Sequence, residues 1–424
     1  MKTKTLIYSA LCLVSVWCSA AENASLLPKD ARLAIVGDSI TEQKLYSKYI
    51  ETYLLTAGGR PDVRVFQFGW GGERAEGFER RLQNDLAAFH PNTVTLCYGM
   101  NDGGYRPYEE TIGKRYEESM RLVLKKLTEE KIRVLVGTPG AVDSKYFSKP
   151  FPGNVNSAES YNESLAKLGE HGKKLAVEFQ GAFADVHTPM MEAMAKAKAA
   201  YGEDYDVCGK DGVHPSANGH LVMAYAFLKG LGCDGNVGEI VVDGSGKTTV
   251  TPGHKVLSSG GGVVELESER YPFCFDPEAK APNSTRSILP HIPFNQDLNR
   301  LTLKVLQLSQ PKAKVQWGTE TREFTKEQLE AGINLAAEFS KTPFDKAFFE
   351  VMNAVAEKQA YETVIVKGLI SQFRSFQAET KKDPELGSLM DALRDKLTAI
   401  QGRQCAEIRM KLVPVKHTLR VTPM

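Results

Sequence analysis

The sequence is short of nearly every feature that would place it in a specialised class. Its charge has no dominant sign: 53 Lys and Arg stand against 52 Asp and Glu, a formal net charge of +1. That balance removes the electrostatic footprint of a nucleic-acid binder or a polybasic membrane binder. Cysteine is scarce, seven in 424 residues with no Cys-x-x-Cys pair, and the eight histidines are scattered. Without zinc-ligand spacing, no structural metal site is expected. Beyond the N-terminal segment no apolar run is long enough to cross a bilayer. The first half holds no Gly-x-Ser-x-Gly, which argues against the usual nucleophile elbow of α/β-hydrolases. "GSGKTT" at Gly244 to Thr249 lacks the earlier glycine of a phosphate loop, because Val241 stands in its place; nucleotide binding is not expected there.

What is present begins with a leader. Lys2 and Lys4 precede an apolar run that ends in small residues at Ser19 to Ala21, the layout of a cleaved export signal over residues 1–21. Trp17 disfavours a lipid-attachment site at Cys18. Cys12 and Cys18 would leave with this segment, so Cys97, Cys208, Cys233, Cys274 and Cys405 remain. An odd number implies at least one free thiol, and one bridge, with Cys208 and Cys233 as a candidate pair, stays open.

From Ala31 to about Gly232 short apolar runs alternate with amphipathic stretches. "RLAIVG" (32–37), "VRVFQFG" (63–69), "TVTLCYG" (93–99), "IRVLVGTP" (132–139) and "AFADVH" (182–187) read as strands. Tyr116, Met120, Val123 and Leu127 repeat at helical spacing, as does the stretch 158–177. Such alternation predicts a parallel sheet covered by helices on both faces, with ligands beyond the carboxyl ends of its strands. Residues 22–235 are therefore expected to form one α/β domain. After Gly232 short β-like runs separated by Gly, Ser and Pro follow, at 255–275 and 301–308, then a helical stretch over about 342–400, then alternating apolar residues within 407–423. Residues 236–424 read as a β-rich accessory region with a helical insertion; a separate terminal helical domain is the alternative.

Three strand ends carry chemistry. Ser39 follows the first strand in "VGDSITEQ", where a hydroxyl meets the ligand edge. "FGWGGER" closes the second strand, with glycines that leave backbone N–H groups open, and "YGMND" closes the third, with the Asn101 amide. Farther on, "DGVHPSANGH" sets Asp211 three residues before His214. That spacing lets the carboxylate receive the Nδ1 proton and turn Nε2 outward as a general base, and Pro215 suits the first turn of the helix expected over 216–231. A hydroxyl, an oriented base and donors for a developing oxyanion are the parts of an acyl-transfer site.

In this order the blocks "GDSIT" (37–41), "GWGGER" (69–74), "GMND" (99–102) and "DGVHP" (211–215) resemble those of the SGNH hydrolases, the GDSL-type esterases. The resemblance covers roughly residues 30–232. It implies a flavodoxin-like three-layer α/β/α fold, Ser39 as nucleophile, His214 and Asp211 as the rest of a triad, and the Ser39 amide, Gly72 and Asn101 as oxyanion donors, with no cofactor and no metal. The second block departs from the family in carrying Gln67 and Arg74, so Gly71 stays open beside Gly72. Asp38, Trp70, Arg74 and Tyr105 are the candidate substrate-binding residues; Trp70 and Tyr105 either stack on a sugar ring or form the wall. The expected activity is that of an exported esterase removing acetyl or other short acyl groups from a glycan or small molecule, with no nucleic-acid partner. A lipid or thioester acylhydrolase and a catalytically silent carbohydrate-binding protein are the alternatives.

Overall fold

A computed structural model describes residues 25–148, 150–151, 154–155, 157–276 and 281–424. The expected export signal lies outside the described residues.

The first half builds β1 (Arg32–Gly37), α1 (Ser39–Glu42), α2 (Leu45–Leu55), β2 (Arg64–Gly69), α3 (Ala75–Ala87), β3 (Thr93–Cys97), α4 (Glu110–Glu129) and β4 (Arg133–Gly137). A short hairpin of β5 (Pro150–Phe151) and β6 (Asn154–Val155) follows, then α5 (Ala158–Glu178), β7 (Ala182–Ala184), α6 (His187–Tyr201) and α7 (Ala217–Gly230). The five main strands lie in the order β2-β1-β3-β4-β7, all parallel. The side chains of β1 to β4 are buried almost without interruption because both faces are covered. In β1, Leu33 and Ile35 join the cluster that holds α2, α6 and α7, while Ala34 and Val36 join the one that holds α3 and α4. All five carboxyl ends meet at one edge, and the loops that carry Ser39, "GWGGER" and "GMND" leave from it.

The second half forms two sheets. β8 (Asn236–Val242), β9 (Thr248–Val250), β12 (Arg300–Val305) and β15 (Ile333–Asn334) pair in the order β15-β12-β8-β9. β10 (His254–Gly260), β11 (Val263–Ser268), β13 (Lys312–Trp317), β14 (Glu320–Thr325) and β16 (Val415–Pro423) pair antiparallel as β10-β11-β16-β13-β14. Small helices α8 (Phe294–Leu298), α9 (Lys326–Ala331) and α10 (Leu335–Glu338) connect them. Between β15 and β16 stand α11 (Asp345–Gly368), a 3-10 turn at Ile370–Phe376, α12 (Gln377–Thr380) and α13 (Pro384–Met410). The last strand lies at the centre of its sheet, so these helices are an insertion and no terminal domain.

The insertion runs farther than the alternation at 407–423 suggests. Gln401, Cys405 and Ile408 are buried at steps of four and three, so the helical period persists to Met410, and the strand begins only past Pro414, at Val415. Val413 belongs to neither and is exposed. The α7 N-cap is Ser216, which puts Pro215 before the helix and outside its first turn. All five remaining cysteines are free thiols, so Cys208 and Cys233 are not bridged.

β2 is an edge strand, and α11 covers it with side chains that satisfy its backbone. Lys358 Nζ donates to Val65 O at 2.6 Å and Gln67 N donates to Glu362 Oε2 at 3.1 Å, bonds a further strand would otherwise make. Ile365 and Val366 join Phe66 and Phe68 in one apolar cluster. On the other face Tyr49 packs on Phe273, and Tyr53 and Tyr225 on Phe294, at ring centroids 5.9, 6.5 and 6.4 Å apart. The apolar interior thus runs across the expected boundary at residue 235. Among the described residues no helix is long and apolar enough to cross a membrane.

Candidate active site

Ser39 begins α1 directly after β1, held by its neighbour. Asp38 caps the helix, its carboxylate accepting the Ile40 amide at 3.0 Å. A carboxylate there is the usual N-cap choice because it satisfies an orphan amide. Asp38 is only 3% exposed, so it lies beneath the site rather than lining it. Burial pushes its carboxyl up to about 7, and the nearby charges of Asp102 and Glu73 add to the shift against the Ile40 bond.

His214 reaches Ser39 from across the sheet edge. Its Nε2 lies 2.8 Å from Ser39 Oγ, and its Nδ1 lies 2.6 Å from Asp211 Oδ2. A carboxylate only accepts, so Nδ1 carries the proton and Nε2 presents a lone pair to the serine hydroxyl, which donates. Asp211 is itself locked: its other oxygen accepts the amides of Val213 and His214, each at 2.9 Å. Partial burial would raise the Asp211 carboxyl, but the bonds from His214 and Val213 outweigh it and hold it below the ordinary value. Gly209 makes this turn buildable; at φ +74°, a Cβ there would sit 1.9 Å from His214 O.

The "GWGGER" loop turns over Ser39. Trp70 N donates to Gly37 O at 3.0 Å and Glu73 N to Trp70 O at 3.1 Å. Gly71 N donates to Glu42 Oε2 and is thereby occupied. Gly72, at φ +72° with open space where a Cβ would stand, keeps its amide clear of that bond. Asn101 is oriented by its neighbours. Nδ2 donates to Glu73 O at 3.1 Å, and Tyr105 O–H donates to Oδ1 at 2.9 Å. An amide nitrogen has two hydrogens, so one remains for a ligand oxygen. Asp102 ties the two loops together by accepting the Ala75 and Gly99 amides, both at 3.0 Å, and burial lifts its carboxyl to about 6.

The remaining predicted residues divide. Arg74 is exposed, its Nε donating to Asn101 O at 3.1 Å. With Arg80, Arg374 and Trp70 it lines a cavity of about 400 Å³ that opens beside Gly72. Trp70 has the Arg81 guanidinium 5.0 Å and the Lys367 ammonium 4.9 Å from its ring centroid, so cations already engage its π surface. Tyr105 packs against Phe147 and Tyr161 at 6.5 and 5.4 Å. Both aromatics therefore have wall partners within the protein. The other histidines do not join the site. His220 is buried against Tyr46 and bonded to Gln43 at 2.9 Å, and His187 bonds Gly140 O. Among the described residues no group of three or more His, Cys, Asp and Glu could hold a metal ion.

Sequence reasoning missed the support beneath the loop. Glu73 is buried and takes both Arg81 Nε and Nη2 at 2.7 Å plus Tyr98 O–H at 2.6 Å, while Asp85 takes Arg81 Nη1 at 3.0 Å. The charge alternation of "GGERAEGFERRLQND" was the available signal, but it reads equally as a solvated helix face. Also missed were Glu42, Thr363, Lys367 and Arg374. The last three come from the insertion, for which no local pattern points to the site.

Residues 35–222 match the GDSL-like Lipase/Acylhydrolase family. An acetylxylan esterase of Geobacillus stearothermophilus is 24% identical over 219 residues, 47% of this chain and 94% of that protein. A solved structure described as BT4096, a gut microbial diltiazem-metabolizing enzyme, superposes with a TM-score of 0.69 at 23% identity, over 93% of this chain and 98% of its own. The structure of Axe2, an acetylxylan esterase from Geobacillus stearothermophilus, aligns with 48% of this chain and 97% of its own at a TM-score of 0.39 and 21% identity. The likeness to BT4096 runs through both halves, so the two-part fold is shared as a unit.

Proposed function

We propose that this protein, whose residues 35–222 match the GDSL-like Lipase/Acylhydrolase family, is a serine esterase that removes acetyl groups from carbohydrate. The observation that carries the reading is the unbroken chain from Ser39 Oγ through His214 to Asp211, at 2.8 and 2.6 Å. Ser39 Oγ attacks the ester carbonyl as His214 Nε2 takes its proton. The Ser39 and Gly72 amides and the Asn101 side chain receive the oxyanion; Gly72 serves in preference to Gly71, whose amide is bonded to Glu42. His214 then protonates the departing sugar hydroxyl, and water repeats the sequence on the acyl-enzyme. Asp211 keeps the imidazole in the required tautomer throughout.

The substrate class rests on the acetylxylan esterase relative. Arg74 and the polar cavity beside Gly72 are the place for the sugar portion of the substrate. The export signal expected at residues 1–21 supports action outside the cytoplasm.

The test compares the full chain with its Ser39→Ala variant on p-nitrophenyl esters of increasing chain length and on acetylated xylo-oligosaccharides. The parent is expected to favour acetyl over longer acyl groups and to release acetate from the glycan. The variant is expected to lose about 10⁶-fold in turnover, the order seen when a triad serine is removed. Equal rates in parent and variant would refute the serine mechanism, and a preference for long acyl chains would replace the carbohydrate reading with a lipid one.

A further inference from the structure

We propose that Lys367, contributed by the C-terminal insertion, is a positioning residue for the oxyanion loop and acts through Glu42. The proposal rests on the esterase reading above. Glu42 closes the short helix that Ser39 opens. One of its carboxylate oxygens accepts the Gly71 amide, and the other takes Lys367 Nζ at 2.5 Å. The ammonium also stands 4.9 Å from the Trp70 ring centroid. A single side chain from the second half of the chain thus holds both the carboxylate next to the nucleophile and the aromatic that begins the loop.

The need for such a pin follows from Gly72. With φ +72° and nothing within 4 Å of where its Cβ would be, Gly72 makes no packing contact through a side chain that would set where its amide points. Its direction is inherited from its neighbours. On one side Glu73 is held through its carbonyl by Asn101 and through its carboxylate by Arg81 and Tyr98. On the other side stands Gly71, fastened by Glu42, and Glu42 is fastened by Lys367. Hydrogen-bond donors aimed before the reaction stabilise developing charge without reorganising, so a loosened Gly71 would weaken the Gly72 donor. Electrostatics acts in the same direction. A carboxylate one peptide away from the donor opposes a developing negative charge, and a paired ammonium cancels that field.

The insertion is built to place Lys367. Along α11, Lys358 and Glu362 bond the β2 backbone, and Thr363 O–H donates to Gln67 Oε1 at 3.2 Å. Gln67 Nε2 in turn donates to Thr41 O at 2.6 Å, in the same short helix as Ser39. Gln67, the departure from the family's second block, thereby becomes the link between the nucleophile's helix and the C-terminal half.

The experiment measures kcat and KM on p-nitrophenyl acetate, and inhibition by a boronic acid that forms a tetrahedral adduct on serine, for the full chain and for Lys367→Met, Lys367→Arg, Glu42→Ala and the Lys367→Met/Glu42→Ala double variant. Lys367 is partly exposed, so Lys367→Met is expected to fold, and circular dichroism checks this. Lys367→Met should lower kcat about 10-fold, a fraction of what a whole oxyanion donor contributes, with KM within about twofold of the parent's. The inhibition constant should rise in step with the loss of kcat, and Lys367→Arg should recover most of both. Because Lys367 acts through Glu42, the double variant should be no slower than Glu42→Ala alone. An active parent whose Lys367→Met variant keeps its kcat, or loses kcat without weaker boronate inhibition, or whose two losses multiply, overturns the positioning role and leaves the esterase standing. A parent without Ser39-dependent turnover overturns the esterase reading, and this proposal falls with it.

Discussion

A buried imidazole loses solvation when it takes a proton, and His417 lies in a donor chain that needs it neutral. Trp317 Nε1–H donates to His417 Nδ1 at 3.2 Å, so the His417 proton is on Nε2 and goes to Ser268 Oγ at 2.9 Å. The Ser268 hydroxyl then donates to His254 Nδ1 at 2.8 Å, and His254 Nε2–H to Val237 O at 3.0 Å. Burial, with His254 close by, pushes His417 down to about 4. The sign follows from linkage: a group whose folded pKa is depressed below its ordinary 6.5 contributes stability that is complete above 6.5 and lost as pH falls toward 4. His417→Gln keeps an acceptor for Trp317 but does not titrate. In urea unfolding, the parent's stability relative to this variant should therefore be greatest near pH 7 to 8 and shrink toward pH 4. A difference that does not change with pH would show that His417 is not held neutral.

At the scale of elements, α11 decides how the edge of the main sheet ends. Its Lys358 is fully buried between Glu362 at 2.7 Å and Glu51 at 3.0 Å, one cation for two acids. Burial raises the Glu51 carboxyl to about 7, with Glu362 adding to the shift and Lys358 opposing it. Removing the cation strands two buried carboxylates, and breaking a buried pair in this way costs about 3–5 kcal/mol. Lys358→Met should show a loss of that order in urea unfolding at pH 8. The loss should be smaller at pH 6, where Glu51 takes up a proton and one of the two charges disappears. A loss equal at both pH values would argue for a packing defect instead. The helical character of about 342–400 was visible in the sequence, whereas its continuation to Met410 and its docking on β2 were not. Lys358 and Glu362 at i and i+4 read as an ordinary solvated pair, and only the approach of β2 makes them interior.

Over the whole molecule, the two halves share one interior. Tyr49, Tyr53 and Tyr225 from the first half meet Phe273 and Phe294 from the second, and α11 closes the β2 edge. A chain ending at residue 235 would expose those rings and an unpaired strand, both aggregation hazards. It should elute as aggregates and melt without a cooperative transition, whereas the full chain melts cooperatively; a soluble, active fragment would show that the halves fold independently. The strand runs, the parallel sheet and the four blocks around Ser39, Gly72, Asn101 and His214 were legible in sequence because each is a local pattern. A buried strand needs an apolar run, a turn needs its glycine, and Asp211 can meet His214 only at short range. What brings Ser39 within 2.8 Å of His214, 175 residues later, is the parallel sheet, which gathers its strand ends at one edge. The sequence alone determined which groups exist and what chemistry they can do. Tertiary structure alone decided that Trp70 is engaged by two cations, that Asp38 lies beneath the surface, and that Lys367 from the far half stands against Glu42. Such pairings are set by how layers pack, and no local period encodes them.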